Sequence, residues 1–183
     1  MKKSILLILF ILCNVYVTVG QSTDWFKLKD TDAAYSISYP QKPEKGSNEV
    51  PTDKGTVNMS TYTLQVDDHD NLIYITSFTE YPESFFPSKL ITVEKQDEVL
   101  DNSVNGAINN TKGTLILKEI INFNGYRGRD IKIAIDGGYI IKMKVLLVGI
   151  KLYIVQVIYK KENDNNIRAK QFFDSFELIN VKQ

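Results

Sequence analysis

The sequence predicts an α+β fold: a mostly antiparallel sheet covered on both faces, with a long middle helix and a short C-terminal helix. Two consecutive segments, 139–148 and 152–159, are apolar enough to lie in the middle of a sheet. Around 88–109 the apolar residues recur at helical spacing instead, and Ala169, Phe172, Phe173 and Phe176 repeat that period near the end. In the first central segment Tyr139, Ile141, Met143, Val145 and Leu147 form one wholly apolar face, while Lys142 and Lys144 interrupt the other. In the second, both faces are apolar except at Gln156. A strand of that kind is covered on both sides, so something must pack on each face.

The chain begins with Met1, Lys2 and Lys3 and an uncharged run over 4–19, the order of regions found in a secretory signal peptide. Thr18, Val19 and Gly20 put small residues where a signal peptidase reads, which places cleavage between Gly20 and Gln21. The expected division is a signal over 1–20 and a single α+β domain over 21–183, exported to a bacterial periplasm or the medium. The apolar run is short of the roughly 20 residues that span a bilayer, which argues against an uncleaved anchor. Leu12 is too large to precede a lipidated cysteine at Cys13.

After cleavage about 163 residues remain, enough for one core that buries around two-thirds of the unfolded surface. Cys13 is the only cysteine in the chain, so the processed protein has no disulfide, thiol nucleophile or thiolate metal site. Losing Lys2 and Lys3 leaves 20 basic residues against 22 acidic, a net of −2. That balance gives no electrostatic footprint for nucleic acid or an anionic membrane.

Taken in order, 21–30 reads as an edge segment whose pair Trp25 and Phe26 packs onto the domain. Residues 35–39 alternate Tyr35, Ile37 and Tyr39 with serines, the pattern of a half-buried strand, and Pro40 and Pro43 end it. Residues 41–54 are polar and broken by proline and glycine, which predicts a surface loop. The segments 56–66 and 72–81 are rich in β-branched and aromatic residues, and the turn Asp67–Asn71 joins them into a hairpin. Phe85 and Phe86 follow in a proline-bounded loop.

The middle helix is expected over 88–109, with Ser88 as N-cap and a stripe of Leu90, Val93, Leu100, Val104 and Ala107 that Asp97 breaks. Gly106 and the pair Asn109 and Asn110 mark its fraying end. Strands are expected over 114–123 and 129–136, joined through Asn124 and Gly125, so 114–160 reads as a four-stranded antiparallel meander. A short aromatic helix then covers the second face, and 175–179 adds a final edge segment.

The strand Tyr35–Tyr39 with Pro40 after it, the proline-rich loop, the long helix, the meander, and the closing run Phe172, Phe173, Asp174, Ser175 and Phe176 together resemble the PsbP-like superfamily. The resemblance spans nearly the whole processed chain. It implies an α/β/α sandwich around an antiparallel sheet, in a superfamily of mostly non-catalytic binding or assembly factors. No functional residue of that family matches a position here.

For chemistry, His69 is the only histidine, flanked by Asp67, Asp68 and Asp70. Such donors could hold a divalent cation, and a small metal-dependent or carboxylate-based enzyme using the Asp67–Asn71 turn is the alternative function. Aspartate and asparagine are also ordinary turn residues, and no calcium-loop spacing follows. A G-x-S-x-G elbow and a phosphate loop are absent from the sequence. The acids are scattered over positions expected to be exposed, with no carboxylate isolated inside a strand. The expectation is therefore a non-enzymatic binding module with no catalytic residue, metal or cofactor, and an unidentified protein or small-molecule partner. Tyr126, Arg127 and Arg129, around the turn at Asn124 and Gly125, are the candidate partner-binding residues, because aromatic plus arginine is the composition of interaction hot spots. The plainer alternative is that Arg127 caps a turn or pairs with a surface acid such as Asp130.

Overall fold

The computed structural model describes residues 25–66, 70–86 and 92–179. Along them run β1 (Phe26–Asp30), β2 (Tyr35–Tyr39), β3 (Glu44–Thr52), β4 (Gly55–Gln65), β5 (Asn71–Glu80), α1 (Val93–Thr111), β6 (Thr114–Phe123), β7 (Tyr126–Ile135), β8 (Tyr139–Val148), β9 (Lys151–Lys160), α2 (Ile167–Asp174) and β10 (Glu177–Leu178). Strands β3 to β9 form a seven-stranded antiparallel sheet in the order β3-β4-β5-β9-β8-β7-β6. The two most apolar segments are thus its innermost strand, β9, and that strand's neighbour β8. The α+β class and the meander over β6–β9 agree with the sequence.

Each face of the sheet carries its own core. Ile141, Met143, Val145 and Leu147 of β8 join Ile131 and Ile133 of β7 beneath Leu100 and Val104 of α1. On the other face Tyr153, Val155, Val157 and Tyr159 of β9 meet Phe172, Phe173 and Phe176. Lys142 and Lys144, which interrupt the apolar pattern of β8, lie with their ammonium groups 5.6 and 5.4 Å from the Phe173 ring centre. Their charges face its π cloud.

The second face is not closed by a helix alone. Strands β1, β2 and β10 form a separate three-stranded antiparallel sheet beside α2. Tyr35, Ile37 and Tyr39 point inward from β2, as expected, yet Ser36 is buried too. The reason is that β1 and β10 flank β2 on both edges, and Ser36 Oγ donates to Glu177 Oε2 at 3.1 Å. Beneath them Tyr35 and Tyr39 both reach Thr76 Oγ1, at 2.9 and 2.7 Å, and Tyr39 donates onward to the Tyr62 carbonyl at 3.1 Å. Because Tyr39 has one proton, the hydroxyls run as a chain: Tyr35 donates to Thr76, Thr76 to Tyr39, and Tyr39 to the backbone.

Several boundaries differ from expectation. The polar stretch 41–54 is not simply a loop: β3 pairs with β4 from Glu44 to Thr52. Its residues are nearly all exposed on both faces, so no apolar face marks it in the sequence. Helix α1 starts at Val93, where Thr92 accepts from the Lys95 N–H, and Ser88 lies outside the described residues. It runs through Asn109 and Asn110 to Thr111, and Lys112 closes it in the left-handed conformation at φ 51°. Gly113 then passes so near β7 that a Cβ there would meet Ile133 Cγ2 at 2.3 Å and the Ala134 carbonyl at 2.8 Å. Close approach, rather than a fraying asparagine pair, fixes that end. Of the N-terminal aromatic pair only Trp25 packs, edge-on against Tyr74, while Phe26 is exposed. No helix among the described residues is long and apolar enough to cross a membrane.

Candidate functional site at the β6–β7 hairpin

Strands β6 and β7 meet at Asn124 and Gly125, both at positive φ (52° and 87°). This is the backbone of a two-residue hairpin turn whose twist matches the flanking strands. Asn122 Oδ1 accepts from the Gly125 N–H at 2.9 Å and fixes the loop. Beyond it, the pleat of β7 sends Arg127 and Arg129 to the α1 side, and Tyr126, Asp130 and Lys132 to the α2 side.

On the α1 side the arginines meet the aspartate that interrupts the apolar stripe of α1. Arg127 Nε and Nη2 donate to Asp97 Oδ1 at 3.1 and 3.0 Å, and Nη2 reaches Asp97 Oδ2 at 2.9 Å. Arg129 donates from Nη2 to Asp97 Oδ1 and from Nε to Asp101 Oδ1, both at 2.8 Å, and from Nη1 to the Gly128 carbonyl at 3.1 Å. Lys118 of β6 completes the cluster at 2.9 Å from Asp101. Three cations thus share two carboxylates. Burial opposes ionisation of Asp97 and Asp101, but the hydrogen bonds and charges of their basic neighbours outweigh it and hold both carboxyls below the usual aspartate range.

The three sequence-predicted residues therefore stand differently. Arg129 is 2% exposed and locked between β7 and α1. Tyr126 packs partly against the core on the α2 side. Arg127 is only part-buried and lies beside the tip. Its acid is Asp97 and not Asp130, because positions 127 and 130 of one strand project to opposite faces. The signal that could have found the pairing is the spacing of Asp97 and Asp101, one turn apart on the stripe of α1.

On the α2 side sits a carboxylate the sequence reading missed, since Asp130 lies inside a strand. Its side chain is 14% exposed, Oδ2 is 3.9 Å from Lys142 Nζ, and buried Oδ1 accepts no hydrogen bond among the described residues. Burial raises its carboxyl above the usual aspartate range, with Lys142 and Lys144 pulling the other way. Next to it Lys132 is held 2.8 Å from Asp164, which also accepts from Tyr159 at 2.7 Å.

Asp67, Asp68 and His69 lie outside the described residues. Asn71, the last residue of that turn, is fully buried at the start of β5. Its amide donates to the Tyr74 hydroxyl at 2.7 Å and to Asn166 Oδ1 at 3.0 Å, and its Oδ1 accepts from Asn166 at 2.8 Å. Both of its polar atoms thus serve the N-cap residue of α2.

Among solved structures the chain is similar to cyanobacterial PsbP (CyanoP) from Synechocystis sp. PCC 6803, with a TM-score of 0.56 and 11% identity over 84% of this chain and 91% of that one. The fold is PsbP-like. A second similarity, to a Pseudomonas aeruginosa protein of unknown function, has a TM-score of 0.34 and 9% identity over 76% of this chain and 85% of that one. No family model and no curated protein sequence matches the chain. The PsbP-like fold is therefore held by a sequence that shares few residues with its structural relative, as expected when two cores need only be apolar and of the right volume.

Proposed function

We propose that the protein is an exported, non-enzymatic binding or assembly module that touches its partner at the β6–β7 tip. The observation that carries this reading is the PsbP-like fold over most of the chain, taken with what the sequence resemblance implies of that superfamily. A fold alone does not specify function, so the site must supply the rest. Around the tip, Arg127 on the α1 side and Tyr126 on the α2 side are both only partly buried, and Lys118 of the same cluster as Arg127 is part-exposed as well. Asn124 and Gly125 expose a turn with little side chain to obstruct approach.

Export is part of the proposal, supported by the order of charged, apolar and small residues over 1–20. The experiment is affinity capture with the processed protein on its own envelope fraction. A partner recovered in constant ratio to the bait is the expected result. Turnover of a substrate that depends on added divalent metal would overturn the reading in favour of an enzyme.

A further inference from the structure

Among the described residues, strand β6 is the open edge of the seven-stranded sheet beyond β7, and its side chains are mostly exposed, including Leu115, Ile116 and Ile120. The opposite edge, β3, carries Glu44, Lys45, Glu49 and Pro51, the residues by which edges resist pairing. β6 carries one cation and one acid, Lys118 and Glu119, among apolar neighbours.

The two-residue turn sets which of its backbone groups are free. Phe123 and Tyr126 close the hairpin as a doubly hydrogen-bonded pair, and such pairs alternate along an antiparallel ladder. The N–H and C=O of Lys118, Ile120 and Asn122 therefore point away from β7. The register shifts between Leu115 and Leu117, so the regular edge runs from Leu117 to Phe123, and its middle residue is Ile120. Ile120 is also the most exposed large apolar side chain of the strand, at 64%.

We infer that β6 pairs antiparallel with β6 of a second copy of this chain, on a two-fold axis through Ile120. A two-fold between adjacent antiparallel strands runs perpendicular to the sheet and keeps each side chain on its face, so the axis must fall on a residue. Centred on Lys118 or Glu119, it would set like charges directly opposite, which destabilises a sheet. Centred on Ile120, it sets Lys118 opposite Asn122, Glu119 opposite Ile121 and Leu117 opposite Phe123, and Ile120 meets itself. Centred further along, the pairing shortens or runs into the bulge. Arg127 takes no part, so this dimer stands or falls separately from the partner reading.

The test is sedimentation equilibrium of the exported protein over a concentration series, with Ile120→Lys compared. The wild type is expected to dimerise. Ile120→Lys, at an exposed position, should keep its melting temperature and weaken the dimer about tenfold or more by placing like charges on the axis. In a second variant, Ile120→Cys, the processed chain has one cysteine, and mild oxidation should link two copies through it, since opposed residues of paired strands lie within disulfide reach. A wild type that stays monomeric throughout overturns the inference, as does a dimer indifferent to Ile120→Lys. So would a monomer that instead binds an extended peptide along β6.

Discussion

Single side chains decide more here than composition suggests. Thr76 is one hydroxyl in the middle of a sheet, yet it links the two tyrosines of β2 to the backbone of β4. Burial pushes the hydroxyls of Tyr35 and Tyr39 well above the usual tyrosine range, with Thr76 opposing it. Thr76→Val keeps the shape but strands a buried donor and a buried acceptor, so unfolding in urea should show a loss of about 1–3 kcal/mol. An unchanged midpoint would mean that the chain of hydroxyls contributes nothing. Charge acts at the same scale. Asp97 and Asp101 have lowered values in the folded state, so the unfolded chain takes up more protons as pH falls. Their stabilisation is complete above the ordinary aspartate value of about 4 and is lost as pH drops through the lowered folded values. Asp130 runs the other way: its raised value favours the folded state at low pH and loses that contribution as pH rises through it. Asp97→Asn should therefore flatten the acid limb of a stability profile, and a limb identical to wild type would show the cluster to be inert.

At the scale of elements, the helices are fastened by different means. α1 sets Leu100 and Val104 into the sheet and adds the Asp97 and Asp101 ion pairs at its flank. α2 is short, and its hold is aromatic: Phe172 lies 5.0 Å from both Tyr39 and Tyr74, and 5.9 Å from Phe173, ring centre to ring centre. Phe172→Ala and Phe173→Ala should each lower stability by about 3–5 kcal/mol, because both rings are buried. A loss below about 1 kcal/mol for either would mean that its surroundings collapse to fill the space. What the sequence reveals follows from the same physics. β8, β9 and the aromatic stripe are legible because a buried face must be apolar at a fixed period. β3 is illegible because neither of its faces meets a core, and the small sheet is hidden because its strands join across most of the chain. The arginine and aspartate cluster is half-legible: Asp97 shows as a break in a stripe, but its partners lie some 30 residues away and only strand register brings them together.

For the molecule as a whole, two cores on one sheet leave its margins open to a partner, and the proposal is that one margin, the β6–β7 tip, contacts a partner outside the cell. Export comes first: the processed N-terminus should be Gln21, which mass spectrometry of the envelope or medium fraction reads directly, and a retained Met1 or a lipid on Cys13 would refute it. The claim itself is tested most directly by a capture experiment with the double variant Tyr126→Ala and Arg127→Ala, run beside wild type with thermal unfolding as control. Arg127 is part-exposed and its loss leaves Asp97 paired with Arg129, so that change should cost under about 1 kcal/mol. Tyr126 gives up only partial packing, and together the melting temperature should fall by no more than about 10 °C. The expected result is a folded variant that no longer retains the partner. A variant that melts cooperatively and still captures the same partner at full yield would contradict it.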